Sequence, residues 1–190
     1  MLEELVKKTR SIRRFKKEQV RNETLIHLIN MARLGASAAN LQPLKYFISS
    51  DKKTNDKIFP LLKWAGYLRE WEGPSEEERP AAYIIVTGDT AISKSFGCDH
   101  GIATQNILLA AAENGLGSCI IGAVNRKALS DILNISEKYR ILHVIALGRP
   151  AEEVLIEDIK EDGSIEYWRD ENGVHHVPKR SIDEIIINKP

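Results

Sequence analysis

The feature that most constrains this fold is the apolar run AAYIIVT at residues 81–87, which has turn-forming residues on either side. A continuous apolar run of this length predicts a strand that is buried on both faces. Such a strand belongs at the centre of a sheet, with other elements covering its two sides. Residues 141–147 have the same character and end at a Gly-Arg-Pro turn, so they predict a second buried strand.

Five segments carry the apolar spacing or the capping residues of helices: residues 2–6, 22–32, 99–114, 125–133 and 181–184. The third is the longest, is rich in alanine and ends at Gly115. Asn22, Asp99 and Asn125 are the predicted N-caps of their helices. Ser181-Ile-Asp-Glu184 has the pattern of a capping box, which predicts one short helix.

Shorter segments predict the remaining strands. Residues 45–50 have aromatic and β-branched character, and SCIIG at residues 118–122 follows the longest helix directly. Residues 165–169 and 174–177 flank an Asp-Glu-Asn-Gly turn, which is typical of a surface hairpin. The helices outweigh these strands, so the sequence predicts a layered α+β fold. With 190 residues, 43% of them hydrophobic, the chain is expected to form a single domain over residues 1–190.

Residues 61–80 form an excursion with two possible interpretations. Trp64, Tyr67 and Trp71 recur at helical spacing, and the acidic, helix-breaking stretch GPSEEERP follows them. Such a stripe is typical of a helix that packs its aromatic side chains into the core. It would also suit a lid or pocket wall whose rings stack on a planar ligand.

The charge balance and the cysteine content exclude several classes of protein. Lys and Arg number 27 and Asp and Glu number 27, whereas a nucleic-acid binder usually carries a large basic excess. No apolar stretch reaches the roughly 18 residues of a membrane span, and the first residues lack the apolar core of a signal peptide. Cys98 and Cys119 do not make a disulfide framework. We therefore expect a soluble, cytoplasmic protein with no nucleic-acid or membrane partner.

Two basic segments are candidates for binding a phosphate group. The first places a hydroxyl among guanidinium groups whose planar forks match phosphate oxygens: Arg10, Ser11, Arg13 and Arg14. In the second, Lys179 and Arg180 come directly before a predicted helix N-terminus, where free amides and the helix dipole favour an anion. One such segment alone is typical of a solvated surface, but the two together suit one phosphate.

Two further segments have the composition of a ring-binding site. SAANLQP at residues 37–43 offers small residues for close approach, and the Asn40 and Gln42 amides can pair with a ring edge. The glycines between Gly115 and Gly122 would let backbone N–H groups approach a flat ligand. Both patterns are also typical of ordinary turns and helix ends, so the residues alone leave both interpretations open.

Three other clusters contain residue types that can bind a metal or act as a nucleophile: Cys98-Asp99-His100, His175-His176, and Cys119 with His143. Cys98, Asp99 and His100 are adjacent at the start of a predicted helix, so their side chains cannot all face one ion. Neighbouring histidines in a strand point to opposite faces, which favours a structural role or a pocket edge. The last pair lies in apolar strand runs, where thiols are usually buried and unreactive. We therefore predict no metal site.

Five segments in order resemble the motifs of the FMN-dependent nitroreductase family: RSIRRF, SAANLQP, DHGIATQNILLAAAENGLGSCIIG, LGRP and HHVPKRSIDEII. Their order and spacing match across nearly the whole chain. The resemblance implies a nitroreductase-like layered fold, with a central, mainly antiparallel sheet flanked by helices. It also implies a homodimer whose interface holds two FMN molecules, each touched by both subunits.

The resemblance also implies roles for individual residues. The phosphate and ribityl end of FMN would be held by Arg10, Ser11, Arg13, Arg149, Lys179 and Arg180. The partner subunit would border the flavin with its Ser37, Ala38, Asn40 and Gln42. A backbone amide at Ile121 or Gly122 would face flavin N5. The substrate pocket is expected where the family's covering element varies most, at Trp64, Tyr67 and Trp71.

The activity that the resemblance implies is a ping-pong cycle. NADH or NADPH would reduce FMN, and a small planar acceptor such as a nitroaromatic or a quinone would reoxidise it. No protein nucleophile is needed, because the flavin carries the redox chemistry. Three alternatives remain at this point: a non-catalytic flavin carrier or sensor, a protein that binds another phosphorylated ligand, and a flavin-dependent dehalogenase-type relative.

Overall fold

The structure, a computed structural model, describes residues 1–161 and 163–188. The contacts within the chain divide it into two compact units. The first comprises Met1–Trp64 and Gly73–Ala151, and the second comprises Ala65–Glu72 and the chain from Glu152 onward. The expectation of a single domain over residues 1–190 stays a prediction.

The first unit is a layered α+β structure. Along the chain it forms α1 (Leu2–Lys8), α2 (Asn22–Arg33), β1 (Leu44–Ser49), α3 (Lys52–Ile58), β2 (Ala82–Asp89), α4 (Asp99–Glu113), β3 (Gly117–Ile121), α5 (Arg126–Leu133) and β4 (Tyr139–Gly148). The four strands form one sheet in the order β1-β2-β4-β3, and every neighbouring pair is antiparallel. The predicted α+β class and the mainly antiparallel sheet are therefore confirmed.

Strand β2 is buried along its whole length, as its apolar sequence predicts. Ile84 lies opposite Ile145 of β4, and both belong to the cluster of buried side chains that includes Leu28 of α2 and Ile107 of α4. Successive side chains of a strand point to opposite faces, so the fully buried Tyr83 lies on the other side of the sheet. Each large apolar side chain buried in this way stabilises the folded state by about 1.5–3 kcal/mol. Because β2 and β4 supply many of these side chains, the pair forms the centre of the core.

The connection between α1 and α2 packs against the end of the sheet. The Ile12 amide donates a hydrogen bond to the Ser118 carbonyl of β3 at 2.9 Å, and Phe15 is fully buried. Both side chains pack where the sheet has only glycine. A Cβ on Gly117 would lie 2.7 Å from Ile12 Cγ1, and a Cβ on Gly148 would lie 2.9 Å from Phe15 Cδ1. The two glycines therefore set how closely the basic amino-terminal segment approaches β3.

Helix ends are partly as predicted. Gly115 follows α4 with φ of +68°, and the Asn125 side chain caps α5 by accepting a hydrogen bond from an amide of its first turn. The predicted N-cap roles of Asn22 and Asp99 are wrong, because both are the first residues inside their helices. Asn22 instead accepts a hydrogen bond from the Ser50 hydroxyl at 2.7 Å, and Asp99 bonds a distant loop.

The second unit contains β5 (Val154–Asp158), β6 (Trp168–Arg169), β7 (His175–Lys179) and α6 (Ile182–Ile185). Strands β6 and β7 are antiparallel, which confirms the predicted hairpin, although its first strand is short. Strand β5 pairs with β7 in parallel, a pairing that the sequence analysis did not predict. The Ser181–Glu184 capping box is present at α6. No helix in the described part of the chain is long and apolar enough to cross a membrane.

The helix predicted from the aromatic spacing at residues 61–80 is wrong. Residues 62–75 form turns and bends, flanked by short 3-10 turns at Phe59–Leu61 and Glu76–Glu78. Ala65 and Gly73 have φ of +37° and +119°, and neither value is compatible with a right-handed helix. The helical spacing of the aromatic residues is therefore coincidental.

We expect Gly148→Ala to destabilise the first unit by about 1–3 kcal/mol, because the new methyl group would overpack the buried Phe15 ring. The free energy of unfolding in urea measures this loss. The matched control is Gly101→Ala in α4, where a Cβ would meet open space, so that stability should stay unchanged or rise by about 1 kcal/mol. Equal stability of wild type and Gly148→Ala would contradict the packing role of Gly148.

Candidate functional site

One buried carboxylate holds the loop between α2 and β1. Asp99, which is 3% exposed at the start of α4, accepts a hydrogen bond from the Ser37 hydroxyl at 2.6 Å and another from the Ala38 amide at 3.0 Å. The Ser37 hydroxyl oxygen accepts in turn from the Gln42 amide at 2.9 Å. These three bonds tie both ends of the loop to the longest helix.

The same loop has a strained backbone. Ala39, Asn40 and Gln42 have φ of +49°, +54° and +51°, although none of them is glycine. A left-handed conformation costs an L-residue about 1–2 kcal/mol, and such strain is concentrated at functional sites. The bonds to Asp99 offset this cost, so that the exposed Asn40 and Gln42 side chains stand on a fixed backbone.

Arg10, in the amino-terminal basic segment, has a donor with no partner. Its Nη2 donates to the Val6 carbonyl at 3.0 Å, and its Nε is buried without a hydrogen-bond partner among the described residues. Burial lowers the pKa of the Arg10 guanidinium, but arginine keeps its charge at neutral pH. Most buried donors in proteins are paired, so Arg10 Nε has an unused capacity to donate a hydrogen bond.

The neighbours of Arg10 take different surroundings. Ser11 is exposed, whereas Arg13 is 8% exposed and its Nη1 lies 3.5 Å from the Ser11 carbonyl oxygen. Arg14 turns to an acidic partner, with its Nε 3.3 Å from Glu78 Oε1. Arg10, Ser11 and Arg13 thus all belong to the first unit, where Arg14 is paired with the Glu78 carboxylate.

The outer edge of β3 carries this basic segment at one end. Ser11 forms a parallel bridge with Ser118, and Ser118 directs its backbone groups outward, away from β4. Backbone groups alternate along an antiparallel strand, so Ile121 directs its own groups toward β4. The N–H of Gly122 shares a trans peptide with the Ile121 carbonyl and therefore points outward. Gly122 is exposed and lies four residues from Ser118, about 13 Å at a rise of about 3.3 Å per residue.

The residue that holds the end of this edge is one that sequence reasoning missed. Arg126 donates from Nη2 to the carbonyl oxygens of Gly122 and Leu142 at 3.0 and 2.9 Å, and from Nε to that of Ile141 at 3.1 Å. Its partners are main-chain atoms from two separate segments. No residue type marks such a contact in a sequence, so no sequence signal could have identified it.

Arg149 caps the longest helix. Its Nη1 donates to the Asn114 and Gly115 carbonyl oxygens at the end of α4, both at 3.0 Å, and its Nε lies 3.5 Å from Glu18 Oε2. A cation at this position satisfies free carbonyls and complements the helix dipole. The structure therefore gives Arg149 a capping role, and the contact of Arg149 with phosphate stays a prediction.

The second basic segment belongs to the second unit. Arg180 pairs with Glu184, with Nη1 and Oε1 3.1 Å apart, and Lys179 is exposed at the end of β7. The Glu184 carboxylate also accepts from the Ser181 amide, and these bonds lower its pKa. Because the two basic segments lie in different units, their meeting at one phosphate stays a prediction.

The three aromatic residues predicted to line a substrate pocket are also divided. Trp64 is half-buried in the first unit, with its indole nitrogen enclosed. Tyr67 and Trp71 belong to the second unit. There the Tyr67 ring lies 4.9 Å from that of Tyr167, and the Trp71 ring lies 4.8 Å from the Arg169 guanidinium carbon. Each ring has a local partner, and a shared substrate pocket for them stays a prediction.

The Cys119–His143 pair is not a nucleophile and base. The strand register places the two side chains on opposite faces of the sheet, and Cys119 is only 4% exposed. His143 Nε2 lies 2.8 Å from Thr104 Oγ1. Burial, with smaller effects of His100 and Arg126, lowers the pKa of His143 to about 4, so this histidine is neutral at pH 7.

The two adjacent histidines of β7 have separate structural contacts. His175 is fully buried, whereas the His176 ring stacks on Trp168 at 4.1 Å between centroids. His176 Nδ1 lies 3.0 Å from Glu157 Oε2, and its Nε2 lies 3.6 Å from Asp170 Oδ2. Among the described residues, no three His, Cys, Asp or Glu side chains are grouped closely enough to hold a metal ion.

Comparisons with known proteins agree on one family. Residues 6–149 match the model of the nitroreductase family. A protein of Archaeoglobus fulgidus, provisionally named NADH dehydrogenase/NAD(P)H nitroreductase, is 31% identical over 152 residues, which cover 76% of this chain and 82% of that protein. The iodotyrosine deiodinase of Thermotoga neapolitana is 26% identical over 79% of this chain and 89% of its own.

The fold is shared with solved structures. The FMN-dependent nitroreductase of Clostridium difficile R20291 superposes with a TM-score of 0.66 and 26% identity, covering 78% of this chain and 87% of that one. The family match extends over more than half of the chain and includes the basic segment, the Asp99-anchored loop and the edge of β3. The chain therefore belongs to the nitroreductase family.

Proposed function

We propose that this protein is an FMN-dependent oxidoreductase that passes reducing equivalents from NADH or NADPH to a small planar acceptor by a ping-pong cycle. Two relatives support the donor and the cofactor, since one is named for NAD(P)H and the other for FMN. Nitroaromatics and quinones are the proposed acceptors, because a flat molecule can follow the nicotinamide onto the same face of the flavin.

The observation that carries this proposal is the outer edge of β3. A cationic segment lies at one end of the edge and an outward-facing amide at the other, about 13 Å apart by strand geometry. FMN has the matching arrangement, a phosphate joined to a ring system by an extended polyol. The same strand would thus hold both ends of one mononucleotide.

The residues present fit this cofactor. The buried Arg10 Nε has no partner among the described residues, and a phosphate oxygen would supply the missing acceptor. Ser11 and Arg13 would complete the phosphate contacts from this chain. Arg180, with Lys179 and Arg149 as further cations, is proposed to join them.

We propose that the cofactor lies at the interface of a homodimer. The loop anchored by Asp99 supports this assignment, because it combines a rigid, strained backbone with exposed side chains. Ser37, Ala38, Asn40 and Gln42 would border the flavin bound by the other subunit.

Bound FMN would supply the hydride-transfer chemistry. The chain's own residues would orient it and stabilise the negative charge that reduction leaves on the ring. The Gly122 amide at N5 and the cations at the phosphate end are the groups proposed for these two tasks. Both cysteines are free thiols, which suits the reducing cytoplasm where we propose that the enzyme works.

A second candidate reaction is reductive dehalogenation of an aromatic ring. The observation in its favour is the 26% identity to a deiodinase over 89% of that protein. The same bound flavin would serve either reaction, so the two candidates differ in the acceptor and share the cofactor site.

The decisive measurement is an anaerobic absorption titration. Protein reconstituted with FMN should be yellow, lose its absorbance with NADH or NADPH, and regain it on adding a nitroaromatic, a quinone or an iodinated phenol. Recovery only with the iodinated phenol, with release of iodide, would select the second candidate. If neither nucleotide reduces the bound FMN, this result would contradict the proposed oxidoreductase activity and would indicate a flavin carrier or sensor. No FMN binding at all would indicate another phosphorylated ligand.

Arg10→Met should weaken FMN binding about 10- to 150-fold, because it removes a charge-assisted contact worth about 1.5–3 kcal/mol. Fluorescence quenching of free FMN on titration measures the dissociation constant. Arg21→Met is the control, since Arg21 is exposed and precedes α2 outside the candidate site. If the two variants bind FMN equally well, the phosphate assignment of Arg10 is wrong.

Asp99→Asn should weaken FMN binding about tenfold, since it removes the charge from hydrogen bonds worth roughly 1.5 kcal/mol that keep the strained loop in place. The same titration measures the effect. Asp131→Asn removes an exposed carboxylate that pairs with Lys127, and this control should bind FMN like wild type. Unchanged affinity in Asp99→Asn would show that the loop does not border the flavin.

A further inference from the structure

The peptide that follows Gly122 is held from two sides. Arg126 donates to the Gly122 carbonyl oxygen at 3.0 Å, and the Lys63 amide donates to the next carbonyl, that of Ala123, at 2.9 Å. A bridge between Leu62 and Val124 continues the pairing. The chain leaving β3 is therefore fixed in orientation although it begins with glycine.

Glycine at this position makes such an anchor necessary. Gly122 has open space around a Cβ, so neither packing nor a side chain restricts the rotation of its backbone. On the amino-terminal side, the ladder to β4 fixes the Ile121 peptide. On the carboxyl-terminal side, Arg126 supplies the fork that binds the Gly122 carbonyl together with the Leu142 carbonyl of β4.

We propose that Arg126 is a positioning residue for the flavin, which rests on the function proposed above. By holding the Gly122 carbonyl, it leaves only the Gly122 N–H at the edge where flavin N5 is proposed to lie. Release of this carbonyl would let the peptide rotate and bring an oxygen toward the edge. That oxygen would repel the N5 lone pair of the oxidised flavin, whereas it would accept a hydrogen bond from the N5–H of the reduced flavin.

Arg126 contributes through geometry as well as charge. Its planar fork binds the carbonyls of Gly122, Ile141 and Leu142 at once, whereas lysine has one nitrogen on a flexible stem. A substitution by lysine should therefore keep the charge and lose the orientation. This difference separates positioning from a general electrostatic effect.

The test compares Arg126→Lys and Arg126→Met with wild type, using FMN labelled with ¹⁵N at N5. We expect both variants to bind FMN within about threefold of wild type, because the phosphate contacts remain. The N5 chemical shift should move in both. In Arg126→Lys, which keeps the positive charge, the equilibrium between oxidised and reduced flavin should shift at least tenfold toward the reduced form, which makes the midpoint potential roughly 30 mV more positive for two electrons.

Arg140→Met is the matched control, because Arg140 also donates to a main-chain carbonyl, that of Lys94 at 3.0 Å, and stacks on Phe96. It should leave both the N5 shift and the potential unchanged. If Arg126→Met does not fold, Arg126→Lys carries the test. If an Arg126 variant has the N5 chemical shift and the midpoint potential of wild type, the positioning role of Arg126 is wrong, and the proposed function is unaffected. If the wild-type protein does not bind FMN, the proposed function itself is wrong.

Discussion

Burial of β2 and β4 on both faces is the constraint on which the rest of the first unit depends. With helices α2 and α4 on one face and further side chains filling the other, β2 offers no open face to a ligand. Unpaired backbone groups remain at the two edge strands, β1 and β3, and the basic segment lies at the edge of β3. The chain uses this edge twice, once for the amino-terminal basic segment and once for the outward amide of Gly122. The packing of the core thus restricts the candidate site to an edge of the sheet, and the contact of the basic segment selects β3.

Three charged side chains fix backbone groups of the first unit. Asp99 bonds the amide of Ala38, Arg126 bonds the carbonyl of Gly122, and Arg149 bonds the carbonyls at the end of α4. In each case an ion is hydrogen-bonded to main-chain atoms, and such bonds are worth about 1.5–3 kcal/mol, more than neutral ones. Charge in this part of the molecule therefore serves to fix peptide orientation. A flavin site benefits from this arrangement because peptide groups can contact a flat ring more closely than long side chains can.

The sequence predicted elements whose signals are local. The apolar runs of β2 and β4 and the alanine-rich α4 depend on neighbouring residues, and all three are confirmed. The aromatic spacing at residues 61–80 predicted a helix wrongly, because periodicity does not reveal a positive φ such as that of Ala65. Contacts between distant parts of the chain were missed for a different reason. Asp99 meets Ser37 across 62 residues, and Arg126 meets carbonyls that every residue possesses, so neither has a pattern to detect. The proposed cofactor residues rest on family resemblance, since the basic segment alone is also typical of a solvated surface.

The loop anchored by Asp99 also limits how the family's sequences can vary in length. Its two ends are bound to a single carboxylate and a single hydroxyl, and its turn is built from residues in fixed left-handed conformations. Adding or removing one residue there would break the register of these bonds. Residues 64–75 follow the Leu62–Val124 bridge and the Lys63–Ala123 hydrogen bond, and they form turns and bends without a helix or a strand, so a change of length there interrupts no ladder. Insertions and deletions that distinguish relatives should therefore accumulate in that connection, while the number of residues between Ser37 and Gln42 stays the same.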